Sequence, residues 1–143
     1  MILLHELENN RVAIMHPADG IDASDLIAEL PAGTEYRIVN DMGSVTDEDI
    51  ADFQDALRVN FDNSITENYF SWDMDAAKEA TKERLRKDRI PLFEANDIAL
   101  RDAIIANNDA DIATYANERD RLRDAPLLAD SASTLEQLRN ITL

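Results

Sequence analysis

Few residues of this chain could carry out chemistry. It has two histidines, His5 and His16, no cysteine and only three glycines. The histidine in "HELEN" lacks the second histidine of a zinc-protease helix, and no Ser-His-Asp spacing or glycine-rich phosphate loop occurs. His16 precedes Pro17 and is expected to end a strand. We therefore expect no catalytic residue, no cofactor and no enzymatic activity.

One acidic segment imitates a calcium loop. "NNDADIATYANE" places Asn107, Asp109, Asp111 and Glu118 at positions one, three, five and twelve of such a loop. The sixth position needs glycine for its sharp turn, and Ile112 stands there. We expect a polar turn in which Asp109 caps the next helix, and no metal site.

The only basic run surrounds "TKERLRKDRIPLFEAN". Its cations spread around a helix and alternate with acidic side chains, and no aromatic side chains interleave with them to stack on bases. The run predicts a solvated helix surface rather than a nucleic-acid site. The cations are Lys78, Lys82, Arg84, Arg86, Lys87 and Arg89.

Charge divides the chain into two parts. The 143 residues have a formal charge of −16; residues 1–71 hold fifteen Asp and Glu against three Arg, and residues 72–143 hold fifteen against eleven basic side chains. Binding to a phosphate backbone needs clustered cations, so the first part cannot provide it. The first ten residues have too short an apolar run for a signal peptide, and no segment approaches the about 20 apolar residues of a membrane helix. We expect two domains, 1–71 and 72–143, in a soluble intracellular protein without a membrane partner.

The elements of the first part are short. Strands are predicted over residues 11–17 and 34–41, with Tyr36 and Ile38 alternating with polar neighbours in the second. A helix over 23–29 separates the two strands, which we expect to pair. Thr46 is a natural N-cap for a further helix, whose apolar face would be Ile50, Phe53, Ala56 and Leu57.

The segment "DNSITENYFSW" is predicted to be a polar and then aromatic connector. Its Tyr69, Phe70 and Trp72 either fill a core at the seam between the two parts or anchor a partner.

Helical periodicity is strongest after Asp73. One apolar stripe runs through Met74, Ala77, Leu85, Leu92, Ala95, Ala99 and Ala103, and its register continues across Pro91, which favours one kinked helix over two. A second stripe consists of Ile112, Tyr115, Ala116, Arg119 and Leu122. Thr134 and Gln137 form a capping box for a last turn. The fold class is α+β: a small N-terminal β-containing domain followed by a C-terminal antiparallel helical hairpin.

The sequence resembles small tail-associated proteins of tailed bacteriophages and prophages, similar to tail-fibre assembly chaperones. The matching motifs are looser in the first half, at "VAIMHP", "LPAGTEYRIVND" and "TDEDIADFQDAL", and the segment 44–67 is longer and more acidic than the pattern. In the second half the matching residues are Trp72, Met74, Ala77, Lys78, Arg84, Lys87, Pro91, Leu92, Asp97, Arg119, the run Leu122–Pro126 and Leu138.

The resemblance implies a non-enzymatic protein that binds a phage tail-fibre or baseplate protein, in the host cytoplasm during assembly and, where retained, in the virion tail. A homo-oligomer on a trimeric fibre is compatible with it. The alternatives are a purely structural tail or baseplate subunit and an acidic DNA mimic that inhibits a host DNA-binding protein. The candidate partner-binding residues are Tyr69, Phe70, Trp72, Leu85, Pro91, Leu92, Tyr115 and Leu122.

Overall fold

The computed structural model describes all residues, 1–143, in two compact units, Met1–Ala77 and Lys78–Leu143. From the sequence we had placed the boundary between the two domains after residue 71. The predicted fold class is confirmed, because short antiparallel strands are followed by two long packed helices. The elements are β1 Ile2–Glu6, β2 Val12–Met15, α1 Ala23–Ile27, β3 Tyr36–Val39, α2 Asp47–Phe53, β4 Leu57–Val59, β5 Phe70–Trp72, α3 Met74–Ile105, α4 Asp109–Asp124 and α5 Leu135–Arg139.

The first unit contains a three-stranded antiparallel sheet of order β2-β1-β3. The predicted pairing of the strands at 11–17 and 34–41 is wrong, because the unpredicted β1 lies between them. Leu3 and Leu4 are fully buried in β1. The β1–β2 hairpin is closed by Asn9 and Asn10 at positive φ, a conformation that asparagine tolerates better than most residues.

The alternating Tyr36 and Ile38 of β3 do not face the core of the unit. Arg37 and Val39 are buried, whereas Tyr36 and Ile38 are exposed. Val39 joins Leu4 and Val12 in the core of the unit. Arg37 can occupy a buried position because its guanidinium donates hydrogen bonds to backbone carbonyls, as described below.

The helix predicted from Thr46 begins as expected, with the Thr46 hydroxyl accepting a hydrogen bond from the Asp49 amide at 3.1 Å. It ends at Phe53, however, and after one 3₁₀ turn Leu57 enters β4, which pairs with β5. Leu57 lies four residues after Phe53, which is a helical spacing, and for this reason the sequence wrongly assigned it to the apolar face of the helix. The aromatic connector likewise contains a strand, since Phe70–Trp72 is β5.

The second unit contains the hairpin, and α3 runs through Pro91 as one helix. Leu85 and Ala103 of the predicted stripe are buried, but Leu92 is 41% exposed, and the buried line passes instead through Asn96. On a helix of 3.6 residues per turn, Leu92 and Asn96 lie about 20° to opposite sides of Leu85, and it is the Asn96 side that is buried.

Two caps differ from expectation. The N-cap of α4 is Asn108 rather than Asp109, and its side chain accepts a hydrogen bond from the Asp111 amide at 3.3 Å. Thr134 caps α5 as predicted, but the Gln137 side chain accepts from the Ser133 amide at 2.7 Å instead of completing the box.

Candidate partner-binding surfaces

The aromatic residues Tyr69 and Phe70 belong to the first unit's own core. Their ring centroids lie 4.6 Å apart with the planes tilted by 49°. Both side chains are half-buried and pack against the cluster around Leu4 and Val39. Most of their apolar surface therefore stabilises this unit, and only the remaining part is open to a partner.

Arg37 holds the loop between β4 and β5. Its guanidinium donates to the carbonyls of Asn60 and Asp62 at 3.0 Å each and to that of Ile65, and it lies 4.0 Å from the centroid of the Tyr69 ring. A buried cation is tolerated when carbonyl oxygens and an aromatic face replace its water. Sequence reasoning missed this residue, and the only signal was a single arginine between apolar strand residues.

Trp72 is half-buried on β5, opposite Leu57. The next residue, Asp73, accepts a hydrogen bond from the Ala76 amide at 3.0 Å and thus caps α3, while Arg58 donates to its other oxygen at 2.7 Å. The amide hydrogen bond, with Arg58, lowers the pKa of Asp73 below its ordinary value of 3.8. Trp72 is thus the last residue of β5 and directly precedes the residue that caps α3.

Two of the predicted contact residues are buried inside the hairpin. Leu85 and Leu122 expose almost none of their surface. Their role in this structure is to hold the hairpin together, which leaves no side-chain surface for a partner. Pro91 and Leu92, in contrast, are exposed on α3.

An open groove lies between α3 and α4. It encloses about 670 Å³, and Tyr115, Ala95 and Ala99 supply its apolar part. The two alanines are small, which leaves room beside the Tyr115 ring. Leu92 lies three and seven residues before them on α3, so helical spacing places it on the same side. The structure thus brings Tyr115 to the side of α3 that carries Leu92.

The groove has a polar rim. Glu118 accepts two hydrogen bonds from the Arg121 guanidinium, both 2.7 Å long. This pairing lowers the pKa of Glu118 and raises that of Arg121. On the α3 side, the Asn96 side chain donates to the Tyr115 carbonyl at 3.0 Å. The charges of Glu118 and Arg121 thus neutralise each other within the rim.

The basic run on α3 binds the ends of other elements in the second unit, which sequence reasoning missed. Arg89 donates to the carbonyls of Leu122 and Arg123, at 3.2 and 2.7 Å, near the end of α4. Carbonyls at a helix C-terminus lack intrahelical donors and carry partial negative charge, so a cation satisfies both needs.

Three further cations of the run act in a similar way. Arg84 donates to the carbonyls of Leu138 and Ile141, at 3.2 and 3.1 Å, at the end of α5. Lys78 donates to the Asp130 carbonyl, and Lys82 pairs with the Asp130 carboxylate at 2.6 Å. Asp130 and Glu79 raise the pKa of Lys82. The run is therefore an internal brace as well as a solvated surface.

A stripe of isoleucines lies exposed on α3. Ile90, Ile98 and Ile105 are spaced by eight and seven residues, and each is more than half exposed. Helical spacing places them on the side opposite the buried Leu85 and Asn96.

No group of His, Asp and Glu side chains is arranged to hold a metal ion. No helix is both long and apolar enough to span a bilayer. The chain matches no protein-family model, and no curated protein or solved structure is similar to it at a significant level.

Proposed function

We propose that this protein is a tail-fibre assembly chaperone of a tailed bacteriophage, which binds the fibre polypeptide and takes no part in catalysis. The resemblance of residues 72–138 to such proteins motivates the proposal. Unassembled fibre chains expose apolar surface and strand edges, and a small protein that covers these suppresses their aggregation.

The observation that carries the proposal is the groove between α3 and α4. It offers Tyr115, Ala95 and Ala99 in a concave surface, and Leu92 continues the same side of α3. Such a groove can accept aliphatic or aromatic side chains from an amphipathic segment of the fibre. Anchors of this kind supply most of the free energy in protein interfaces.

Co-expression with a candidate tail-fibre polypeptide tests the proposal. We expect soluble trimeric fibre and co-purification with the wild type, and a loss of both with Tyr115→Ala or Leu92→Ser. Tyr115→Ala leaves the backbone carbonyl that Asn96 binds, so the hairpin should fold.

The matched control is Ile90→Ser, which removes an exposed apolar side chain from another side of the same helix. It should leave co-purification unchanged. An equal loss from Ile90→Ser and Leu92→Ser would exclude the groove as the binding surface. Insoluble fibre in the presence of the wild-type protein would exclude the chaperone function itself.

One observation favours the alternative of an acidic DNA mimic. The first unit holds seventeen Asp and Glu against three arginines, a net formal charge of −14. Arg11 pairs with Asp55, Arg58 pairs with Asp73, and Arg37 is buried.

A mimic would bind a basic host protein through charge, so high salt should release it and neutralising Asp47, Glu48 and Asp49 should abolish binding. A fibre chaperone should instead bind more slowly after that change and keep its complex.

A purely structural tail subunit differs from a chaperone in that soluble trimeric fibre forms without it. Detection of the protein at fixed copy number in purified virions by mass spectrometry, together with soluble trimeric fibre in its absence, would favour the structural alternative.

A further inference from the structure

The outer edge of β3 presents unpaired backbone groups. Glu6 N donates to Glu35 O at 2.9 Å, and the register pairs Leu4 with Arg37. Hydrogen-bonded pairs alternate with non-bonded pairs in an antiparallel ladder, so Arg37 bonds to β1 like Glu35. The amide and carbonyl groups of Tyr36 and Ile38 therefore point away from β1.

No other element covers this edge with hydrogen bonds. β3 pairs with β1 alone, and no turn or loop donates to or accepts from the backbone of Tyr36 or Ile38. Their side chains are 38% and 36% exposed on one face of the sheet. Tyr36 and Ile38 are two residues apart, and each presents one backbone donor, one backbone acceptor and one apolar side chain. This is the spacing that an added antiparallel strand requires.

We propose that this edge binds an extended segment of another protein as an additional strand. The segment carries apolar residues opposite Tyr36 and Ile38. It carries lysine or arginine at its ends, because the exposed carboxylates Glu35 and Asp41 lie just beyond β3 on either side. The one cation on β3, Arg37, is directed to its own loop and does not oppose such a partner.

Charge argues against a second copy of this chain as the occupant. Pairing β3 with β3 of another molecule would bring together two units of −14 each. The inference does not depend on the proposed function, because it rests on the edge of the first unit and not on the groove of the second.

The test uses the full chain and an end-blocked peptide, Lys-Val-Thr-Val-Thr-Val-Lys, with amide hydrogen exchange followed by NMR. At millimolar peptide, exchange at Tyr36 and Ile38 should slow by about tenfold or more, while Arg37, bonded within the ladder, is protected without peptide. A peptide with Glu in place of both Lys residues should bind more weakly, because it meets Glu35 and Asp41.

Backbone methylation of the peptide gives the sharpest control. Residues opposite Tyr36 and Ile38 form hydrogen-bonded pairs with them, so the valines must use their own amides. Methylating the three valine nitrogens should abolish the protection, and methylating the two threonine nitrogens should preserve it. Equal effects of the two methylations, or no protection by the unmodified peptide, would overturn the proposal.

Protein variants give a second control. Ile38→Pro removes one edge donor that the β1 ladder does not use, whereas Ile38→Thr keeps the donor and the β-branched shape. The proline variant should lose peptide binding at Tyr36 and the threonine variant should retain it, with circular dichroism to verify folding of both. Slowed exchange at Tyr36 and Ile38 with rising protein concentration, without peptide, would show that a second copy is the occupant and overturn the proposal.

Discussion

Arg37 is the residue on which the order of the first unit's longest loop depends. It is 6% exposed, and it donates to three carbonyls of residues 60–65. The Asp62 carbonyl also closes a turn with the Ile65 amide at 3.1 Å, so Arg37 and this turn support the same loop conformation. A hydrogen bond from a charged donor contributes more than a neutral one.

Replacing Arg37 by methionine should destabilise the first unit by about 2–4 kcal/mol, because the loop carbonyls lose their donor while the apolar volume is kept. Arg37→Lys should cost less, since an ammonium can still donate but cannot span the carbonyls as a planar fork. Urea unfolding followed by the fluorescence of Trp72, the only tryptophan, measures the change.

The control is Arg11→Met. Arg11 and Asp55 form an ion pair in which both side chains are half or more exposed, and such pairs contribute under about 1 kcal/mol. A similar cost for Arg11→Met and Arg37→Met would contradict the assigned role of Arg37.

Asp73 makes the stability of the first unit depend on pH. Its folded pKa is depressed, so the unfolded chain binds the proton more readily. The stabilisation is present above the ordinary pKa of 3.8 and is lost as the pH falls through the folded value. Asp73→Asn should therefore be less stable than the wild type at neutral pH, and the difference should shrink in acid.

Urea unfolding between about pH 2 and 7 measures this difference, because the stabilisation is lost at and below the ordinary pKa of 3.8. The control is Asp75→Asn, which removes a neighbouring exposed carboxylate without side-chain contacts to Ala76 and Arg58. Asparagine can also cap a helix, but without the negative charge. A stability difference between Asp73→Asn and the wild type that does not change with pH would therefore show that the geometry of the cap, and not the charge of the carboxylate, causes the difference.

At the scale of elements, cations of α3 stabilise the second unit by donating to backbone carbonyls near the ends of α4 and α5. Arg89→Met should lower the free energy of unfolding by about 1–2 kcal/mol, because two carbonyls near the end of α4 lose their donor. Lys87→Met is the control, since Lys87 is exposed and lies 3.8 Å from its only partner, Glu83. Helical circular dichroism during urea unfolding distinguishes the two. Equal costs would mean that the run is only a solvated surface.

Pro91 should destabilise α3 while shaping it. Its ring removes the hydrogen bond to the Lys87 carbonyl and crowds the preceding turn. Pro91→Ala should therefore raise the free energy of unfolding by about 1–3 kcal/mol and reduce binding of the proposed fibre partner through a changed direction of the hairpin. A loss of stability would instead indicate that proline is better suited than alanine to this position.

At the scale of the whole molecule, repulsion within the acidic first unit opposes folding. Its charge is −14, and its three arginines are already engaged. Raising sodium chloride from about 0.02 to about 0.5 M shortens the Debye length several-fold, so the urea midpoint from Trp72 fluorescence should rise. The double variant Asp19→Asn, Glu29→Gln should raise the midpoint at low salt and narrow the salt effect. A midpoint that falls with salt would show that attraction between charges dominates.

Features that depend on residues a few positions apart could be predicted from the sequence. Thr46 and Thr134 cap their helices as predicted, and α3 continues through Pro91. Helical periodicity and caps act over three or four residues, so the residue types carry them directly. The two-part composition and the α+β fold class follow from the same local patterns.

The placement of residues that meet across long separations could not be predicted from the sequence and is seen in the folded chain. β1 between β2 and β3, Arg37 beneath the loop at residues 60–65 and Arg89 at the end of α4 each join distant segments. Leu85 and Leu122 looked like contact residues and are buried, while Tyr115 of α4 lines a groove with Ala95 and Ala99 of α3. A strand pattern does not specify its partner, and a cation does not specify which carbonyl it will satisfy, because both depend on which surfaces the folded chain brings together.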